Sequence, residues 1–237
     1  MYVLVLGPAG SGKSLLTARF GSFLARRYRV RQVNLDPGVE SLPYAPDFDV
    51  RSKYTLEAVM REEGLGPNGA MLRAIDRLAC VRIPRYSDDF VLLDTPGQVE
   101  PFVFRDAGPR IVGRLPDCCC IYILDASTPL QTLPSLILYS LAAQFSLGTA
   151  AVNVVNKIDL LRPERIARVR TLLEDPRRFL ELAGEGLRYE LNVRMARIME
   201  EYLPAQRPCL VSAKTGKGFG ELLDILHEVK CACGDLT

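Results

Sequence analysis

Eight residues near the start of the chain, Gly7-Pro8-Ala9-Gly10-Ser11-Gly12-Lys13-Ser14, fit the spacing G-x-x-x-x-G-K-[ST]. The chemistry of that spacing is phosphate binding. Glycines let consecutive backbone N–H groups curl around an anion, and a helix that starts at the loop adds the positive end of its dipole. Ala9, Gly10, Ser11, Gly12, Lys13, Ser14 and Leu15 would line the phosphates, with Lys13 reaching the β- and γ-phosphates and the Ser14 hydroxyl meeting Mg²⁺. Asn156-Lys157-Ile158-Asp159 reads N-K-x-D. A carboxylate at Asp159 can accept from two N–H donors on one edge of guanine, a pair that adenine does not offer. The Asn156 amide can touch the purine edge, and the Lys157 stem can cover a ring face. Ser212-Ala213-Lys214 would lie under the same base with a backbone N–H aimed at guanine O6. Asp94-Thr95-Pro96-Gly97-Gln98 reads D-x-x-G followed by glutamine. Asp94 stands where a carboxylate holds the Mg²⁺ shell, the Gly97 N–H can meet the γ-phosphate, and Gln98 can orient an attacking water. Glu100 can support that water or remain a solvated surface carboxylate. Asp36 can face Mg²⁺ or its waters, or serve only to start an Asp-Pro turn.

These groups need elements to bring them together. Tyr2–Leu6 reads as a buried strand, and Leu15–Tyr28 as a helix with Leu16, Phe20, Phe23 and Leu24 at helical spacing. Val30–Leu35 reads as a second strand stopped by Asp36-Pro37-Gly38, and Val39–Val50, with two prolines, as loop. A helix from Thr55, a turn cluster at Glu63–Gly69 and a helix over Ala70–Cys80 follow. The apolar runs Phe90–Leu93, Cys118–Leu124, Thr149–Val155 and Cys209–Val211 read as strands covered on both faces. Between them, a helix starts at Thr128-Pro129 or at Pro134 and runs to Phe145, apolar nearly all round. Another opens at Pro163, one spans Leu187–Leu203, and the last covers Gly220–Val229. The stripe Leu191, Met195, Ile198, Met199 and Tyr202 reads as core rather than a partner groove. Strand and helix alternate throughout, which predicts an α/β fold: a mostly parallel sheet with helices on both faces. Five strands end in one of the polar clusters above, and such sheets bind ligands at the carboxyl ends of their strands.

Bulk properties narrow the function. The 237 residues suit one domain and are 48% hydrophobic and 24% charged, which excludes a disordered chain. A net charge of +2 argues against a broad nucleic-acid or membrane footprint, so neither direct nucleic-acid binding nor a membrane is expected. Leu133–Phe145 is too short and too interrupted to span a bilayer. With a strand directly after Met1 and no leader pattern, the expectation is a cytoplasmic protein. Cys118, Cys119 and Cys120 alternate faces if they lie on a strand and so read as small buried hydrophobes. Cys231-x-Cys233 lacks the second cysteine pair or histidines of a zinc site. His227 is the one histidine of the chain, and nothing places it near the phosphate loop.

The order of the phosphate loop, Asn34-Leu35-Asp36-Pro37, Gly66-Pro67-Asn68, Asp94–Gln98 and Asn156–Asp159 resembles that of the GPN-loop GTPases, over essentially the whole chain. These belong to the SIMIBI class of P-loop GTPases, and the length is similar to that of the archaeal single-domain members. The resemblance implies one P-loop domain over 1–237, with a helical insertion at about 39–85 carrying the Gly-Pro-Asn loop. It implies hydrolysis of GTP to GDP and phosphate, with Lys13, Asp36, Asn68, Gln98 and Glu100 in catalysis and Mg²⁺ near Ser14, Asp36 and Asp94. It implies a homodimer in which Gly66, Pro67 and Asn68 reach the phosphate region of the other subunit. From the residues alone, Gly66-Pro67-Asn68-Gly69 is only a turn. Eukaryotic relatives are associated with RNA polymerase assembly, so an assembly factor with such a client is the second reading. Gly38 departs from the alanine common in the family after Asp-Pro, with little consequence expected. A nucleoside kinase shares the phosphate loop but not N-K-x-D or D-T-P-G-Q, and a nickel-inserting relative would need the absent His/Cys cluster.

Overall fold

The first strand, β1 (Tyr2–Leu6), is apolar at every position because it is covered on both faces. Tyr2, Leu4 and Leu6 point into one hydrophobic layer, Val3 and Val5 into the other, the two-residue alternation of a strand. The computed structural model describes residues 1–182, 185–202 and 209–234, apart from the side chains of 188 and 232–234. Around β1 stand β2 (Val30–Asn34), β3 (Phe48–Asp49), β4 (Phe90–Asp94), β5 (Cys118–Asp125), β6 (Ala151–Asn156) and β7 (Cys209–Leu210). They form one seven-stranded sheet in the order β3-β2-β4-β1-β5-β6-β7, and every pairing is parallel. The expected α/β sheet with helices on both faces is the fold observed.

Helices α1 (Lys13–Leu24) and α9 (Phe219–Gly234) cover one face through Leu16, Phe20, Leu24, Leu222 and Leu226. The other face lies under α3 (Pro67–Leu78), α4 (Val99–Phe104), α5 (Ala107–Val112), α6 (Leu133–Leu147) and α7 (Pro163–Glu174), which contribute Ile75, Phe102, Ile111, Ile137 and Leu172. Helix α2 (Leu56–Glu63) packs on α3 around Val59, Ala70 and Ala74, and α8 is Leu187–Tyr202. The register sets the site: Asp94 lies opposite Val5 on one side and Asn34 on the other, and Asp125 lies opposite Asn156.

The structure corrects several boundaries. Helix α3 starts at Pro67, not Ala70, so Pro67-Asn68-Gly69 is a helical first turn; proline suits that position because its missing N–H would have no intrahelical partner. Pro134, not Pro129, sits in the first turn of α6, after a 3₁₀ turn at Leu130–Thr132. A two-residue strand, β3, lies within the stretch read as loop. Helices α4 and α5 have six residues each, too few for a periodic pattern to mark them. The α8 stripe is not core. Only Met199 of its five members is buried, while Leu191, Ile198 and Tyr202 are exposed. Leu203 and the Cys233 side chain lie outside the described residues. Cys119, Cys120 and Cys209 are buried, and burial pushes the Cys209 thiol up to about 12. His227 packs against the rings of Tyr28 and Phe90. No described helix is long and apolar enough to cross a membrane.

Candidate nucleotide site

The turn between β1 and α1 holds Gly10 at φ 76° and Gly12 at φ 95°, left-handed values that a side chain resists. At Gly12 a Cβ would also stand 2.5 Å from the Asn156 amide nitrogen. Gly12 leads into α1, and its carbonyl accepts from Leu16 N–H at 2.8 Å. Ser11 is buried, and its hydroxyl has no hydrogen-bond partner among the described residues. The Lys13 ammonium crosses the loop to the carbonyls of Gly7 (2.9 Å) and Pro8 (3.2 Å). Burial lowers its pKa, and the charges of Asp94 and Asp36 oppose that shift.

Two carboxylates face this lysine. Asp94, at the end of β4, is 1% exposed, and burial lifts it to about 6 against the pull of the Ser14 and Tyr44 hydroxyls and Lys13. Its Oδ2 accepts from the Tyr44 hydroxyl at 3.1 Å, while its buried Oδ1 has no hydrogen bond among the described residues. Asp36 is half-buried and also raised, by burial first, with the Gly38 N–H, Lys13 and the Gly97 N–H opposing. Its Oδ1 closes a turn by accepting from Gly38 N–H at 2.9 Å, the turn foreseen for it, while its carboxylate faces Lys13. A Cβ on Gly38 would meet the Met71 methyl at 2.6 Å, a flexible tip that can swing aside for alanine. The Thr95 hydroxyl donates to the Val5 carbonyl at 2.8 Å and ties this strand end to β1. Gly97 lies against Ala9, with its Cβ direction 3.8 Å from the Lys13 ammonium. The donor set of one hydroxyl and two carboxylates fits Mg²⁺, which keeps waters and takes phosphate oxygens for the rest of its shell. The unpartnered Asp94 Oδ1 is an oxygen such a shell can use. Among the described residues no cluster of three or more His, Cys, Asp or Glu offers a metal cage.

The base-side cluster departs from its sequence reading at Asn156 and at Ala213. Asn156, expected at the purine edge, is 1% exposed and acts as a strut. Its Nδ2 donates to Ser11 O and its Oδ1 accepts from Ala213 N–H, both at 2.9 Å. The Ala213 N–H is thereby directed to Asn156. Asp159 is exposed, and its Oδ1 accepts from the Ser212 hydroxyl at 2.6 Å. Lys157 takes a left-handed φ of 69° and donates to Asp125 Oδ2 at 2.5 Å. Asp125 is itself held by the N–H and hydroxyl of Ser127.

Gln98 and Glu100 are exposed beside the loop. With Pro8, Gly97, Tyr122, Leu136 and Tyr139 they line a hollow of about 410 Å³. Gly66-Pro67-Asn68 forms the start of α3, where no side chain caps the helix. Asn68 is exposed, and among the described residues its amide makes no hydrogen bond within the chain. The sequence reading missed Tyr44 and Asp125. Tyr44 belongs to no motif; Asp125 had a signal, as one more polar residue ending an apolar strand.

The family model described as "Conserved hypothetical ATP binding protein" matches residues 5–232. The chain is 39% identical to the GPN-loop GTPase PAB0955 of Pyrococcus abyssi, with all of both chains covered. It is 31% identical to GPN-loop GTPase 3 of Kluyveromyces lactis, covering 96% of this chain and 90% of that one. The crystal structure of PAB0955, described as a GTPase in apo form, matches with a TM-score of 0.89 at 36% identity over 98% of both chains. The motif order, the parallel sheet that carries it and these full-length similarities agree: the chain belongs to the GPN-loop GTPase family.

Proposed function

We propose that this chain is a cytoplasmic enzyme that hydrolyses GTP to GDP and phosphate, with Mg²⁺, as a homodimer. One observation carries the reading: Asn156 binds the phosphate loop and the Ser212–Lys214 segment into one frame. A triphosphate in the loop would therefore present its base to Asp159, whose second oxygen is available for guanine. The site is one domain over 1–237, with about 39–85 as the insertion bearing Gly66-Pro67-Asn68. Mg²⁺ held by Ser14, Asp36 and Asp94 would neutralise charge on the phosphate oxygens. Lys13 and the Gly97 N–H bind the transferred group, Gln98 orients the water, and Glu100 supports it. Phosphoryl transfer asks little else of a protein than positioning and charge stabilisation.

The dimer rests on the start of α3. Free N–H groups at an uncapped helix N-terminus favour an anion, and Asn68 adds a side-chain donor. An exposed asparagine of this kind suits a phosphate on a neighbouring subunit. The exposed aromatics Phe104, whose ring packs on Tyr139 at the Gln98–Glu100 hollow, and Phe145 provide apolar surface for that contact. The test is complementation. Lys13→Ala and Asn68→Ala chains should each be nearly inactive alone, whereas mixed dimers recover GTP turnover, because the Lys13→Ala chain supplies Asn68 to the intact loop of its partner. No recovery in verified mixed dimers, or full turnover by Asn68→Ala alone, rejects the contact in trans. ATP hydrolysed as fast as GTP rejects the base assignment.

The second reading is a switch that assembles a protein client such as RNA polymerase subunits, with hydrolysis only as reset. The exposed Leu187, Leu191, Ile198 and Tyr202 of α8 favour it, as apolar surface open to a partner. Client capture that differs between GDP and a GTP analogue, and is lost on Ile198→Ser, supports this reading.

A further inference from the structure

Tyr44 lies in the connection from β2 to β3, a stretch without regular structure that is nonetheless firmly tied. At its start the Asp36 N–H donates to Asn34 Oδ1 at 3.0 Å. Arg51 donates from Nη1 to the carbonyls of Val39 (3.0 Å) and Glu40 (3.1 Å). Asp49 holds Arg51 through Nε and Nη2 and accepts from Asn34 Nδ2 at 2.9 Å. At the far end Asp47 accepts from Arg31 and from the Gln32 N–H, each at 2.8 Å. Between these ties runs Leu42-Pro43-Tyr44-Ala45-Pro46. Two prolines fix their own φ angles and restrict the residues before them, so Tyr44 stands on a stiff arch. Its hydroxyl is anchored on Asp94 Oδ2 at 3.1 Å, which joins this arch to the phosphate-loop side of the site.

The two oxygens of Asp94 are thus unequal. Oδ2 is held by the Tyr44 hydroxyl, the Ser14 hydroxyl also draws on the carboxylate, and among the described residues Oδ1 is buried without a hydrogen bond. A carboxylate held at one oxygen and open at the other is oriented for a ligand on the open side. Donors that fix metal-shell carboxylates in this way are worth about 10–100-fold in metal affinity. We propose that Tyr44 is a positioning residue: its hydroxyl orients Asp94 toward the Mg²⁺ shell and so couples cation binding to the docking of residues 39–46. The inference rests on the reading that Asp94 belongs to that shell. The coupling is reciprocal by thermodynamic necessity: a docked arch raises Mg²⁺ affinity, and bound Mg²⁺ steadies the arch.

The test uses the full chain loaded with fluorescent GDP, titrated with Mg²⁺ and followed by the rate of GDP release. Tyr44→Phe keeps the ring and removes only the hydroxyl. It should weaken Mg²⁺ by about 10-fold while leaving GDP affinity in EDTA within twofold. In an Asp94→Asn background the same substitution should have no further effect, as expected when one residue acts through the other. Hydrogen exchange supplies a readout on the unaltered protein: Mg²⁺ should slow amide exchange in 39–46, and Tyr44→Phe should abolish that protection. Mg²⁺ affinity unchanged in Tyr44→Phe overturns the proposal, as does an equal loss of GDP affinity in EDTA, which would mark a packing role. An effect persisting in Asp94→Asn, or unaltered protein with no Mg²⁺-dependent protection, also overturns it. If Asp94→Asn itself leaves Mg²⁺ affinity unchanged, the reading of Asp94 fails, and the inference with it; if Asp94→Asn is impaired and Tyr44→Phe is not, only the role of Tyr44 fails.

Discussion

Asp94 shows how burial and function oppose each other at one residue. Its carboxyl is lifted to about 6 by burial, against about 4 for an unfolded chain. Between those values the folded, nucleotide-free protein holds a proton that the unfolded chain has released. Stability therefore falls as pH rises from about 4 to about 6, and the full cost persists above it. Asp94→Asn keeps an acceptor for Tyr44 and removes the buried charge. It should stabilise the nucleotide-free protein by on the order of 1–3 kcal/mol at pH 8, at about 1.4 kcal/mol per unit of pKa. The gain should vanish toward pH 4 in denaturant melts, and a gain equal at both pH values would reject this account. The same substitution should impair Mg²⁺-dependent turnover if Asp94 belongs to the proposed Mg²⁺ shell. The carboxylates and the lysine of this site were legible in the sequence because their spacing is their chemistry. Tyr44 was not, since a single tyrosine in a proline-rich loop has no spacing to read.

At the scale of elements, the decisive contact is the Asn156 strut between the turn after β1 and the segment after β7. Asn156→Ala leaves the Ser11 carbonyl and the Ala213 N–H buried and unpaired, at about 1–3 kcal/mol each. It should cost roughly 2–6 kcal/mol of stability and weaken GTP and ATP alike. Asp159→Asn should do the opposite: its carboxylate is exposed, so stability should stay within about 0.5 kcal/mol, while base preference moves from guanine toward xanthine nucleotides. Melting curves and competition by GDP and XDP separate the two roles; equal destabilisation by both variants would sink the distinction. The same scale explains α3. Composition made Glu63–Gly69 read as a turn, yet Pro67 is the residue type best suited to open a helix. The tertiary packing of Ala70, Ala74 and Ile75 decides that the helix begins there, leaving Asn68 at an open helix start.

For the whole molecule, the exposed aromatics matter most. Phe145 is 90% exposed on α6 and Phe104 45% exposed on α4, two helices joined by the Ser146 hydroxyl donating to the Val103 carbonyl at 2.9 Å. Helix α6 is apolar nearly all round: Leu133, Ile137, Ala143 and Leu147 face the core, and Phe145 stands exposed. If the surface is the homodimer contact, Phe145→Ser should leave the secondary structure intact by circular dichroism, as expected for a position exposed in the single chain. It should shift the protein to monomer in sedimentation and lower GTP turnover with it. A dimer that persists with full turnover would place the interface elsewhere.

The sequence by itself determined the fold class, because alternating apolar strands and amphipathic helices allow few arrangements other than a parallel sheet covered on both faces. It also determined which strand ends bring polar residues together, since Lys13, Asp36, Asp94 and Asp159 each follow an apolar run within a few residues. Only the tertiary structure decided what those ends do to one another. It made Asn156 a strut, paired Lys157 with Asp125, set Tyr44 on Asp94 and left the α8 stripe on the surface. Each of these depends on which strands lie side by side and how far each segment reaches, and strand order is invisible to local pattern.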